Sequence, residues 1–218
     1  MRRASVSTRE ESCSDSEPLA LVRLPRTFYE RPVLSVARAC IGKLLVHQLG
    51  NQLLVGRIVE AEAYRGPEDR AAHSFGGRRT ARTEAMFGPA GHAYMFLIYG
   101  MHWNFNLVTG ALGEPHAVLI RAVEPVTGAA LMARQRGVPA HSRELTNGPG
   151  KLCQAFALDR RHYGSDLCQG PLFLAAAPSV RVARSVRIGI DYAGSWAEKP
   201  WRFYDPESRY TSRLPKPR

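Results

Sequence analysis

No apolar run in the chain approaches the length of a membrane span, and charges interrupt every hydrophobic segment. Nothing reads as a transmembrane helix, so no membrane partner is expected. Cysteine is scarce. Cys13, Cys40, Cys153 and Cys168 stand far apart with no CxxC pair, which argues against structural zinc and requires no oxidising compartment. Reduced thiols that fill space are the expectation, with no metal and no cofactor. Internal repeats and a strand–helix–strand alternation are missing too, which leaves a doubly wound sheet without support. Acidic charge is also short: 19 Asp and Glu stand against 30 Lys and Arg, a net +11 over 218 residues. Such a surface attracts polyanions and makes binding salt-dependent. The same charge would suit a ribosomal or membrane-surface protein, so it narrows the partner without naming it.

What is present suffices for one sizeable core, at 44% hydrophobic residues. Residues 1 to about 20 are rich in Ser, Arg and Glu and read as a disordered leader. Their arginines precede no apolar core, so they are not expected to be a secretory signal. One domain is expected over residues 21–206, then a basic tail over 207–218 that frays from Ser208. Pro32 suits the first turn of a helix over Val33 to Ile41, with Gly42 as its end. Lys43 to Gln48 and Leu53 to Tyr64 flank Gly50-Asn51 as a hairpin. His92 to Ile98 and His102 to Val108 form a second, and Ala117 to Val123 a further strand. Thr127 is expected to cap a helix over Gly128 to Arg136 that Gly137 stops. Asn147 to Leu158 opens another helix with a Gly-rich turn, and Val180 to Ile190 and Trp201 to Tyr204 return to strand character. The sum is an α+β class: a single domain with an antiparallel sheet and flanking helices.

The chemistry concentrates in the run from Arg57 to Ser74. Strand alternation puts Glu60, Glu62 and Tyr64 on one face. Two acids on an inner strand are costly unless solvated, paired or used. Glu62 is nearest the Gly66-Pro67 turn, where a strand opens onto a site; it could serve as a general base for water, or be a structural partner of Arg57 or Arg121. His73 follows that turn. With Tyr64 and Phe96 it could wall a slot for a planar ring, although each alone would pass for a core residue. Leu97-Ile-Tyr-Gly-Met101 crowds large apolar groups around a Gly-bearing turn where polar residues are usual. Tyr99 is then either an exposed tip made for a partner or a side chain folded back on the core. Gly150 and Lys151 at a helix start suit a phosphate or simply cap a turn; the Walker spacing is absent. The basic loop Gly76 to Arg82 carries Arg78, Arg79, Thr80 and Arg82, either solvated or gripping backbone phosphates. An acid, a stacking slot and a wedge on a basic protein suggest chemistry on a base drawn out of a duplex.

These segments, together with Arg121-Ala-Val-Glu-Pro125 and Gly148-Pro-Gly-Lys-Leu-Cys-Gln-Ala155 in the same order, resemble the alkyladenine (3-methyladenine) DNA glycosylase family from about Leu24 to Tyr204. The resemblance implies a metal-free, monofunctional enzyme of base-excision repair with a curved antiparallel sheet and a DNA-inserting hairpin. Its partner would be double-stranded DNA carrying damaged purines, of the 3-methyladenine type and also 7-methylguanine, hypoxanthine and ethenoadenine. The protein would act as a monomer, in the cytoplasm with the nucleoid if bacterial or in the nucleus if eukaryotic. Glu62 would be the base for water and Arg121 would orient it. Tyr64, His73 and Phe96 would hold the extruded base, with Asn106 disfavouring a guanine-type amino group and Leu119 lining the slot. Tyr99 would intercalate, with Met101 beside it. Phe96 stands where mammalian relatives carry a tyrosine, and His102 replaces another aromatic; both departures bear on base preference rather than on the reaction. No lysine stands out as a Schiff-base nucleophile, so no lyase activity is expected. Two other classes remain: a non-catalytic nucleic-acid-binding module on the same fold, and a glycoside hydrolase using Glu60 and Glu62. The latter is poor, because neighbours two apart on one strand do not easily face each other across a sugar.

Overall fold

A computed structural model of the protein describes residues 21–212. The expected leader, and the tail beyond Ser212, lie outside the described residues. Among those described, a single turn α1 (Arg26–Tyr29) and helix α2 (Val33–Cys40) precede the hairpin β1 (Leu44–Leu49) and β2 (Gln52–Arg65). A second hairpin pairs β3 (Ala93–Ile98) with β4 (His102–Thr109), and β5 (His116–Thr127) follows. Then come α3 (Ala129–Arg136), α4 (Pro149–Ala155) and three short strands, β6 (Leu172–Ala175), β7 (Ala183–Ser185) and β8 (Arg202–Tyr204). All pairings are antiparallel, in the order β3-β4-β5-β2-β1-β6. The α+β domain expected from the sequence is the one that forms.

One strand organises the rest. β2 pairs with β5 along most of its length; β1 accompanies its first half, and β8 takes over at Glu60. One face of this sheet, with α2 and α4 against it, holds the core around Tyr29, Leu45, Phe105, Ile120 and Phe156. Leu54 and Ile58 point into that core, and a Cβ on Gly56 would strike Val123 and Phe156. Continued alternation would drive Glu60 and Glu62 into the same apolar layer. It does not, because the β2–β5 register shifts on both sides of Glu60, leaving Val59 of β2 and Arg121 of β5 each without a partner in the ladder. Such a bulge flips every side chain beyond it. Ala61 and Ala63 therefore enter the core, and Glu60, Glu62 and Tyr64 turn to the opposite face.

Three expectations need correction, and one strand was not anticipated. Thr127 is the last residue of β5, paired with Val55, and caps nothing; Gly128 makes the turn into α3 at φ 81°. Only Ala183 to Ser185 of the expected strand over Val180 to Ile190 is extended and paired. The remainder leaves the ladder because Arg187 turns inward to Asp69 and the Ile188 N–H goes to Glu62 instead of a neighbouring strand. The four-residue strand β6 went unread, being too short after Gly170-Pro171 to show a period. The chain also does not fray from Ser208 as far as Ser212. Tyr210 is buried against Val59 and Ala122, and the Ser212 N–H and Oγ donate to Glu60 at 2.7 and 2.9 Å.

That packing predicts a cost for ending the chain at Glu207. Tyr210 burial and two hydrogen bonds to a buried carboxylate would be lost, on the order of 2 kcal/mol or more. Thermal unfolding of the truncated protein should fall by several degrees; an unchanged midpoint would show that the segment is only loosely laid down.

Candidate active site

On the face that the bulge creates, Arg121 of β5 stands opposite two carboxylates. Its Nε donates to Glu60 at 2.9 Å and its Nη1 to Glu62 at 3.2 Å, with both acids wholly buried. The two acids differ in the rest of their surroundings. Glu60 also accepts from Arg202 Nε at 2.7 Å and twice from Ser212. Among the described residues it receives four hydrogen bonds, three on Oε1 and one on Oε2, and its carboxyl, which burial alone would raise, is held below the ordinary range by Arg121 and Arg202. Glu62 takes three hydrogen bonds: from Tyr64 Oη at 2.8 Å and Arg121 on Oε2, and from the Ile188 N–H at 2.8 Å on Oε1. A carboxylate offers about four acceptor positions, so one remains, on Oε1. Burial, and then Glu62 itself, push the Tyr64 phenol well above its usual range, so the hydroxyl stays a donor.

Tyr64, Arg121 and Ile188, the three partners of Glu62, line a pocket of about 550 Å³. Glu62 sits directly behind that wall. His73, Phe96, Asn106 and Leu119 line the same cavity, so the slot residues read from the sequence converge on one space. His73 meets Phe96 edge to face, centroids 4.5 Å apart. Its Nε2 accepts from Arg82 at 3.3 Å, which makes Nδ1 the protonated nitrogen facing Tyr94 Oη at 2.8 Å. Burial, with Arg82 beside it, lowers the imidazole to about 4, so the ring is neutral at physiological pH. Asn106 is fixed by donation from Nδ2 to the Tyr94 carbonyl at 3.0 Å.

The mouth of the pocket is carried by the β3–β4 tip. Tyr99 is 83% and Met101 71% exposed, which decides between the tip and the buried reading. Tyr99 (φ 53°) and Gly100 (φ 68°) are both left-handed, and the Met101 N–H closes the turn on the Ile98 carbonyl at 3.1 Å. A tyrosine in this region is strained by on the order of 1–2 kcal/mol, and large exposed apolar groups sit on it regardless.

Several contributors were not legible from motifs. A buried pair, Asp69 with Arg187 (Nη2 to Oδ1 2.9 Å), pins the segment from Arg187 to Tyr192 over the site, and the Arg187 guanidinium lies between the rings of Tyr64 and Trp201. Gly66 is demanded by closeness: a Cβ there would collide with Ser74 Oγ and the Pro115 carbonyl. Of the loop read as gripping phosphates, Arg78, Thr80 and Arg82 are exposed, with Arg82 leaning over Phe96. Arg79 is already engaged by Glu84 through two hydrogen bonds. Gly150 and Lys151 reach the pocket edge, where Lys151 Nζ donates to Asn147 at 3.0 Å and faces Glu144. Among the described residues, no group of three or more His, Cys, Asp or Glu is placed to hold a metal, and no helix is long and apolar enough to cross a membrane.

A family model described as methylpurine-DNA glycosylase matches residues 27–209. The chain is 49% identical over 199 residues to a Desulfitobacterium hafniense protein assigned by name as a 3-methyladenine DNA glycosylase, covering 87% of this chain and 98% of that one. Proteins so assigned from Myxococcus xanthus (50% over 197 residues; 89% and 95% covered) and Methanocella arvoryzae (48% over 192; 87% and 96%) are similar. The fold, the pocket and these relatives define a DNA glycosylase, an enzyme of base-excision repair that acts on damaged DNA. Within that class, the chain belongs to the methylpurine-DNA glycosylase family.

The His73 environment carries a testable consequence. With a folded value of about 4 against an ordinary 6.5, the native state binds fewer protons than the unfolded chain between those limits. Its contribution to stability is therefore full above about 6.5 and is lost as pH falls towards 4. NMR titration should find the His73 ring neutral down to about pH 5; a midpoint near the ordinary value would show an open, solvated ring.

Proposed function

We propose that this enzyme removes alkylated and deaminated purines from double-stranded DNA by hydrolysis, as a monomer and without strand cleavage. The lesions are 3-methyladenine-type bases, 7-methylguanine, hypoxanthine and ethenoadenine. Arg78, Thr80, Arg82, Gly150 and Lys151 contact phosphates, and Arg79 joins them on releasing Glu84. Tyr99 enters the stack with Met101 beside it and fills the gap left by the extruded nucleotide. The base rests among Tyr64, His73 and Phe96, against Leu119, with the fixed Asn106 amide restricting an added guanine-type amino group. A cationic base gains further attraction from the aromatic faces.

The observation that carries this reading is the unequal pair of glutamates. Glu60 shares Arg121 with Glu62 and takes its other three hydrogen bonds from Arg202 and Ser212, which do not line the cavity. Glu62 is held by three groups of the cavity wall and keeps one acceptor position. As the N-glycosidic bond breaks and its electron pair leaves with the purine, the carboxylate would stabilise the positive charge developing on the sugar. A water taken at that position on Oε1 would bond to the same sugar carbon and give its proton to Glu62, leaving an abasic site. Arg121 holds Glu62 in place through its hydrogen bond to Oε2. The positive φ at Tyr99 supports the wedge, since strain at an exposed aromatic accords with a functional demand.

Single-turnover excision from an alkylated duplex at saturating enzyme tests the base. Glu62→Gln should lose on the order of a hundred-fold or more in rate while still binding an abasic-site duplex. Equal rates would remove Glu62 from its role, and DNA retained with no base released by the wild type would favour the non-catalytic binding module. Tyr99→Gly should relieve the left-handed strain and so keep or raise the melting temperature, yet excise from duplex DNA far more slowly. A variant as active as wild type would take Tyr99 out of base extrusion.

A further inference from the structure

Asn104 is a polar side chain of the pocket with no part in the scheme above. His102, Asn104 and Asn106 are alternate residues of β4, all line the cavity, and their burial deepens inward from an exposed His102 to Asn104 at 4% and Asn106 at 2% exposure. Asn104 stands directly across the ladder from Phe96, as Asn106 stands across from Tyr94. The two amides are treated differently by the protein. Asn106 is tied to the Tyr94 carbonyl. The Asn104 carboxamide makes no hydrogen bond among the described residues, and its Oδ1 is buried without a partner.

A buried carbonyl oxygen left without a donor carries the full penalty of its desolvation. Most such atoms in folded proteins find a partner, and an exception asks for a reason. Leucine or methionine would fill the same strand position without that penalty. The orphan amide also sits beside the aromatic wall, where an extruded base brings hydrogen-bonding atoms along its edge. Among the described residues nothing donates to the amide oxygen, and rotation about its last torsion exchanges a C=O for an NH₂.

We propose that Asn104 is a specificity residue that reads the hydrogen-bonding edge of the extruded purine, resting on the glycosylase reading above. Either face of the amide can be presented, so a purine edge offering an N–H and one offering a carbonyl are both accepted. Its contribution falls chiefly on neutral purines such as hypoxanthine. A cationic base is held by the aromatic faces and leaves readily, whereas a neutral base depends on the few directional contacts the pocket supplies.

The test is Asn104→Leu, which keeps the size and removes the polar atoms, with Asn104→Ala as a second variant. Melting temperature, affinity for an abasic-site duplex, and single-turnover excision of hypoxanthine and of 3-methyladenine would be measured on each. The expected result for Asn104→Leu is a melting temperature equal to or above wild type, unchanged abasic-site affinity, and hypoxanthine excision slowed about five-fold or more relative to 3-methyladenine. The ratio of the two rates does not depend on the active fraction, so Asn104→Ala should shift it the same way even if less stable. A lowered melting temperature with an unchanged ratio would overturn the proposal and make the amide structural, bridged by ordered water. Failure of both variants to fold would overturn it likewise, as would a wild type that excises 3-methyladenine but no neutral purine. A wild type that releases no purine at all would instead refute the function proposed above, a distinguishable outcome.

Discussion

The structure turns on one guanidinium shared by two buried carboxylates. Arg121 reaches Glu60 through Nε and Glu62 through Nη1, and neither acid is exposed. Two negative charges on one strand would be untenable in an apolar layer without compensation. Arg121 and Arg202 supply it, so the cluster is balanced in charge and nearly filled in hydrogen bonds. Its cost is organisational: β2, β5, β8 and the chain around Ser212 must all be in place for the acids to be tolerated. On the cavity side, what those demands leave is an acceptor position on Oε1 of Glu62, the acid whose three donors belong to the cavity wall. A general pairing of charges thus ends as an asymmetry between two residues of the same type.

The pocket in front of that cluster is rigid for separable reasons. Tyr64 is held at its hydroxyl by Glu62 and against its ring by Arg187, which Asp69 anchors in turn. His73 is neutral and locked into one tautomer between Arg82 and Tyr94. A neutral imidazole can approach a cationic base without repulsion. Preorganised walls of this sort lower the entropy lost when a flat ring is captured. The β3–β4 tip differs, presenting bulky apolar groups to solvent on a strained turn, which only a partner would reward.

The elements with strong local signals were legible. Both hairpins, α2 with its proline start and the Gly137 stop of α3 lie within a few residues of where pattern and turn chemistry put them. The slot residues were legible too, since their spacing in the chain carries the family resemblance, and Tyr64, His73, Phe96, Asn106, Leu119 and Arg121 line one cavity. The misses have specific causes. Thr127 stayed in a strand because pairing with Val55 outweighed its capping preference. The stretch after Ser185 looked extended, but tertiary bonds to Asp69 and Glu62 claimed its backbone and Arg187. The residues from Ser208 looked like a tail because their anchor, Glu60, lies 152 positions away from Ser212.

By itself, then, the sequence determined the class of fold, the basic surface and the set of side chains brought to the site, because these rest on local propensity, net charge and short motifs. Which way those side chains face was decided elsewhere. Alternation read from Leu54 and Ile58 points Glu60 and Glu62 into the core, and the register shifts around Glu60, which leave Val59 and Arg121 out of the ladder, turn them out. A bulge leaves no mark in a single strand, since it exists only as a mismatch with the strand alongside. The roles of the two acids were likewise set by distant donors, Arg202 and Ser212 for one and Ile188 for the other, which no local pattern could have assigned.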